Sequence, residues 1–263
     1  MGATVAILIW AVTAATLWMF LSGRWPMPEL ISLHGQGWDS QYLMTIIIVG
    51  IAFTLAQIGL GWCVFKFTDK KPGPATYTEG SAKVETTWTL ITAAVFVMLG
   101  ITGQRVWAHF HLTDPPRDAL MIEVTGQQFA WNVRYPGPDG VFGRTDVKLV
   151  DDAAGNPLGL DDKDPAARDD VVTQNQVAVP VNRPIRLILK SKDVTHNFFV
   201  PHARMKQDAV PGLATFMHFT LTKPGKYEVA CAELCGQLHW QMKAFINVMS
   251  DEEFQNWLKE RAP

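Results

Sequence analysis

The chain has 263 residues, a formal net charge of −2 and 48% apolar residues. That length admits one sizeable domain with extra elements, or two small domains. The near-even charge gives no sign of a nucleic-acid partner. Charge-free stretches crowd the first hundred or so residues and a Pro- and Asp-rich mixture fills the rest, so a membrane anchor followed by a soluble domain is expected.

In chain order, the first apolar run covers residues 3–21. No basic residue precedes it, unlike the start of a cleaved signal peptide. It is read as an extra, retained transmembrane helix within residues 1–23, followed by an outer linker over 24–40. The runs 43–67 and 86–107 each supply the ~20 residues that a spanning helix needs. Together they predict a helical hairpin over 41–107. Its connection carries Lys66, Lys70, Lys71 and Lys83 and so reads as cytoplasmic. The soluble part, 108–263, then falls on the periplasmic face of a bacterial inner membrane. Cys63 lies inside an apolar run and is read as packing.

Beyond residue 108, short β-rich runs are punctuated by Pro, Gly, Asn or Asp. They cover 122–124, 129–135, 177–179, 185–189, 198–200, 215–221, 225–230 and 245–248, which predicts a β-sandwich or barrel. An acidic insertion over about 137–172 is expected to be mostly loop. The stretch 251–261 opens on acidic residues and predicts a short helix.

The chemistry concentrates in Cys231-Ala-Glu233-Leu-Cys235-Gly-Gln-Leu-His239-Trp-Gln-Met242. Thiolate and thioether are soft ligands and imidazole suits copper, so the set favours copper over magnesium, calcium or manganese. Without the methionine, zinc would be a serious rival, and a Cys231–Cys235 disulfide is the bland reading of two nearby cysteines. A single blue copper needs one cysteine, whereas here there are two. Two thiolates bridging two coppers require a second imidazole, which His196 in Lys192-Asp-Val-Thr-His196 can supply. Met242 and the backbone carbonyl of Glu233 would be the weak ligands. His34, His109, His111 and His202 read as ordinary histidines, His202 being the one nearest His196 in sequence.

Asp-Val-x-His followed thirty-five residues later by C-A-E-L-C-G-x-x-H-x-x-M resembles the CuA motif of cytochrome c oxidase subunit II. Lys206-Gln-Asp-Ala-Val-Pro-Gly212, Glu85-Thr-Thr-Trp88-Thr and Gly126-Gln-Gln-Phe-Ala-Trp131 resemble further family segments. The resemblance implies a membrane-anchored cupredoxin Greek-key domain. It would accept electrons from a c-type cytochrome at a dinuclear copper centre. They would pass to haem in subunit I for oxygen reduction coupled to proton pumping. It further implies that the Glu233 carboxylate helps hold a magnesium or manganese ion shared with subunit I. Glu85 becomes the entrance acid of a proton path, where the bland reading is a helix-start carboxylate favoured by the dipole.

The aromatic stretch departs from the family's G-H-Q-W-Y-W. Phe129 replaces the first tryptophan, the residue through which electrons enter, and Arg134 replaces an acid. Phe129, Trp131 and Trp240 are therefore the candidate aromatics for electron entry or transfer. The departures point to a donor other than an ordinary soluble cytochrome c, either membrane-tethered or held in a respiratory supercomplex. Asp151, Asp152, Asp161, Asp162, Asp164, Asp169 and Asp170, against Lys163 and Arg168, make the insertion either a solvated acidic loop or a docking surface. No C-x-x-C-H occurs, so no c-type haem is expected on this chain. The copper subunit of a nitric oxide reductase is the nearest alternative. A quinol-oxidase subunit would lack the copper ligands, and a free copper carrier would need to release its metal.

Overall fold

The computed structural model describes residues 1–68, 74, 77 and 79–263. Lys70 and Lys71, on which part of the orientation argument rests, lie outside the described residues. Two compact units emerge, one of residues 1–27 and 37–107, the other of 28–36 and 108–263.

The first unit is helical. Helices α1 (Gly2–Leu21), α2 (Gly35–Lys66) and α3 (Ala82–His111) are each long and apolar enough to cross a membrane. Small residues let the backbones approach. A Cβ at Gly61 would lie 2.2 Å from the Trp10 ring nitrogen, which also reaches the Ile58 carbonyl at 3.4 Å. The extra N-terminal helix is thus seated on α2. Between α2 and α3, Gln41 donates to the Leu99 carbonyl at 3.4 Å, and Val106 packs against Gly37. Glu85 occupies the first turn of α3.

The second unit is a sandwich of two five-stranded sheets. Its strands are β1 (Leu120–Gln127), β2 (Ala130–Tyr135), β3 (Val171–Gln174), β4 (Gln176–Pro180), β5 (Pro184–Ser191), β6 (His196–Val200), β7 (Met205–Ala209), β8 (Thr215–Thr220), β9 (Gly225–Cys231) and β10 (Lys243–Met249). One sheet runs β3-β2-β1-β5-β8 and the other β4-β10-β9-β6-β7. Two pairings, β1 with β5 and β4 with β10, are parallel. Alternation places Ile185, Leu187 and Leu189 of β5 and Ala244, Ile246 and Val248 of β10 inside. Tyr135 ties the sheets together, its hydroxyl donating to the Ala178 carbonyl and accepting from the Ala178 amide. Helix α4 (Asp251–Lys259) begins with a Ser250/Glu253 capping box and buries Phe254.

Eight predicted strands are present with small shifts of boundary, while β3 and β7 were not foreseen. Strand β3 ends the insertion at residue 170, short of the expected 172. Residues 137–170 otherwise form turns, isolated bridges and two 3-10 segments. The outer linker is corrected more deeply, because α2 already starts at Gly35 and residues 28–36 belong to the sandwich unit. Ile31 is fully buried there. Its amide donates to the His202 carbonyl at 3.0 Å, and its carbonyl accepts from the Thr222 amide at 2.7 Å. Leu33 N–H reaches the Thr220 carbonyl, and Ser32 Oγ the Ala203 carbonyl.

Candidate metal centre

Four loops meet at one end of the sandwich, those between β1 and β2, β5 and β6, β7 and β8, and β9 and β10. Strand order brings them together, since β6 pairs with both β7 and β9 and its first residue is His196. His196 is fully buried beneath Trp131, whose ring meets it at 5.8 Å. Gly126 makes that possible, because a Cβ there would lie 2.8 Å from His196 Cδ2. Cys231 closes β9, while Cys235, His239 and Met242 follow in the loop to β10.

The two sulfurs stand 3.8 Å apart. A disulfide is near 2.05 Å, so the cysteines are free thiols. Cys231 Sγ lies 4.0 Å from His196 Nδ1 and 3.2 Å from the Glu233 carbonyl oxygen. Cys235 Sγ lies 3.6 Å from His239 Nδ1 and 3.7 Å from Met242 Sδ. Each thiol therefore has one imidazole nitrogen and one weak donor beside it. His196, Cys231 and Cys235 present ligand atoms within 4.8 Å of one another, a group able to hold a metal ion.

Electrostatics fit a cation at this point. Burial opposes ionisation of Cys231, but hydrogen bonds with His196, the backbone at Asn197 and Glu233, and His239 bring its pKa below the usual thiol range. Burial and then the neighbouring Cys231 charge push the Cys235 thiol up. One thiolate forms readily and the second is resisted, which is the imbalance that a bound metal cation removes. Soft sulfur, imidazole and thioether donors fit copper. Asp193 Oδ1 sits 2.8 Å from His196 Nε2 and fixes the ring so that Nδ1 faces the thiols. Partial burial works against the Asp193 charge, yet the Gln128 amide, then His196 and the Val194 amide, hold its pKa below the usual range. The sequence motif contains Asp193 and Gln128, but their positions relative to the ligands were not readable from it.

The other candidates separate. Trp131 is 0% exposed and forms a wall of the site beside His196 rather than a surface contact. Phe129 is half-buried against Gly236, and Trp240 is 76% exposed next to His239. Glu233 is exposed. His202 lies past the far end of β6 with its ring against Tyr227, away from the thiols. Arg134 is also corrected. It is 2% exposed and paired with Asp170 and Glu123, so its charge never reaches a docking surface. The acidic insertion is partly neutralised, by its own Arg144 on Asp161 and by Arg134 of β2 on Asp170 and Lys192 on Asp152.

A chain with helices fit to cross a membrane, a two-sheet sandwich and a thiol–imidazole–thioether cluster at one end defines a membrane-anchored protein with a cupredoxin-like metal domain. The family described as cytochrome c oxidase subunit II, periplasmic domain, matches residues 120–249. An alternative cytochrome c oxidase subunit 2 of Bradyrhizobium diazoefficiens is 34% identical over 98% of this chain and 92% of its own length. A cytochrome c oxidase subunit 2 of Synechocystis is 29% identical over 100% of this chain and 83% of its own. The crystallised periplasmic domain of subunit II of the cytochrome oxidase of Bradyrhizobium japonicum shares 32% identity over 56% of this chain and 95% of that one, with a TM-score of 0.41. The chain belongs to the cytochrome c oxidase subunit II family. It is therefore a subunit of a haem–copper oxidoreductase, on the electron-input side of a terminal oxidase, assembled with subunit I.

Proposed function

We propose that Cys231, Cys235, His196, His239, Met242 and the Glu233 carbonyl hold a dinuclear copper centre, CuA. Through it the chain accepts electrons from a c-type cytochrome and passes them to haem in subunit I. There oxygen is reduced to water with coupled proton pumping. The observation that carries this reading is the paired arrangement, two thiols 3.8 Å apart with a histidine Nδ1 and a weak donor beside each. A bound copper pair supplies one-electron carriage spread over two metals and two sulfurs, so little reorganisation accompanies transfer. The protein's part is to hold the donors in place, with Trp131 excluding water from His196 and Asp193 orienting its ring.

Several finer assignments belong to the same proposal. Lys66 and Lys83 flank the loop between α2 and α3 and support a cytoplasmic position for it. That puts the sandwich on the periplasmic face of the inner membrane. The seat of Trp10 on Gly61 supports retention of α1. The exposed Glu233 carboxylate is free to help bind magnesium or manganese with subunit I. Glu85 stands at the start of α3, where it would open a proton path. Trp240, exposed and adjacent to His239, is the better-supported electron-input aromatic, with Phe129 second. Ion pairing of the insertion's acids leaves less negative charge for steering a basic soluble cytochrome, which supports a tethered or supercomplex-held donor.

Electron paramagnetic resonance of the purified oxidase tests the central claim. A multi-line hyperfine pattern from one electron shared by two coppers is expected. A four-line single-copper signal, or zinc by metal analysis, would show the ligand set to be wrong.

A further inference from the structure

Gln128 contributes no ligand to the proposed set, yet it touches both halves of it. Its backbone N–H donates to Asp193 Oδ2 at 2.7 Å, and the other oxygen of that carboxylate is the one beside His196 Nε2. Its side-chain Nε2 donates to the backbone carbonyl of Cys235. One residue thus joins the β5–β6 loop, which carries His196, to the β9–β10 loop, which carries Cys235. Sequence separations of 65 and 107 residues show how distant these segments are along the chain.

The contact is also tight. Gly236 has a φ of +134°, and a Cβ there would lie 2.8 Å from Gln128 Nε2 and 3.0 Å from Phe129 Cζ. The Gln128 amide and the Phe129 ring therefore lie directly against the Cys235–Gly236 peptide. Fixing that peptide fixes the backbone of Cys235 and, with it, the direction of Sγ.

We propose that Gln128 is a positioning residue for the metal centre, holding the Cys235 thiol in register with the His196 imidazole. The inference rests on the copper reading above. Removing the Gln128 donor leaves the Cys235 carbonyl without this partner and lets the peptide turn. Groups that orient ligands in this way typically change metal affinity by ~10–100-fold when lost.

Two substitutions in the whole purified oxidase test the role. Gln128→Leu keeps the backbone N–H to Asp193 but removes the side-chain donor. Gln128→Glu keeps the shape and sets an acceptor against the Cys235 carbonyl. Copper content, copper retention against a chelator, the hyperfine pattern and the unfolding midpoint are measured for each. Both variants are expected to give up copper about 10-fold more readily, with altered hyperfine coupling and a near wild-type midpoint. Wild-type retention and spectrum in the variants, or a lowered midpoint with the spectrum unchanged, would overturn the positioning role. Should Gln128→Leu fail to assemble, Gln128→Glu decides by the same readouts. A wild-type complex without a copper pair on this chain would instead overturn the reading on which the inference rests.

Discussion

Arg134 sits among acids on the outer side of the β1–β2–β5 sheet, under the insertion. Its guanidinium bonds Asp170 and the Gly143 carbonyl, and Asp170 in turn accepts the Gly143 amide at 3.0 Å. Glu123 lies 3.6 Å away and is also held by Lys190 at 2.6 Å. A buried charge pair adds little over an apolar pair, but removing one partner strands the other without solvent. Arg134→Met is therefore expected to cost about 3–5 kcal/mol of stability, read by urea unfolding of the solubilised chain. A loss below about 1 kcal/mol would mean that Asp170 is not stranded. The charge at this position serves to fasten the insertion rather than to meet a donor.

At the scale of elements, the segment 28–36 behaves as part of the sandwich rather than as a tether. Ile31→Ala should destabilise the sandwich by about 2–5 kcal/mol, the usual cost of emptying a buried aliphatic site. His34, on the same segment, lies tilted against Phe110 with ring centroids 4.6 Å apart, and Phe110 in turn stacks with His218 at 5.8 Å. Burial drives the His34 pKa from 6.5 down to about 4, opposed by the Ala203 carbonyl and reinforced by His218 and His109. The unfolded chain thus takes the proton first as pH falls. Stability that is complete above about pH 6.5 is lost progressively towards pH 4, by about 3 kcal/mol from this residue. His34→Phe should flatten that part of the stability–pH curve. An unchanged slope between the two pH values would show that the ring titrates freely.

For the whole molecule, the proposed function assigns the proton path to the anchor and the electron path to the sandwich. Glu85→Ala removes the carboxylate at the start of α3, in the helical unit. The expected result is slower oxygen consumption and proton uptake by the complex, with copper content and hyperfine pattern unchanged. Normal turnover would leave Glu85 as a helix-start residue stabilised by the helix dipole. The proposed copper centre and proton path are then separable by mutation, as their placement in separate units suggests.

The sequence by itself determined the anchor helices and the β class of the soluble part, and it named the proposed ligand set, because each is written locally. Apolar run length sets a spanning helix, period-two alternation sets a strand, and five of the six proposed donors fall within twelve residues. Tertiary structure alone decided which distant segments meet. The capture of Ile31 between β8 and the β6–β7 turn depends on backbone hydrogen bonds that carry no side-chain signature. The burial of Arg134 depends on a partner thirty-six residues away, and the reach of Gln128 to Cys235 on a sheet order that sequence periodicity does not specify. Local pattern reports which face of an element is apolar, and long-range packing decides what that face touches.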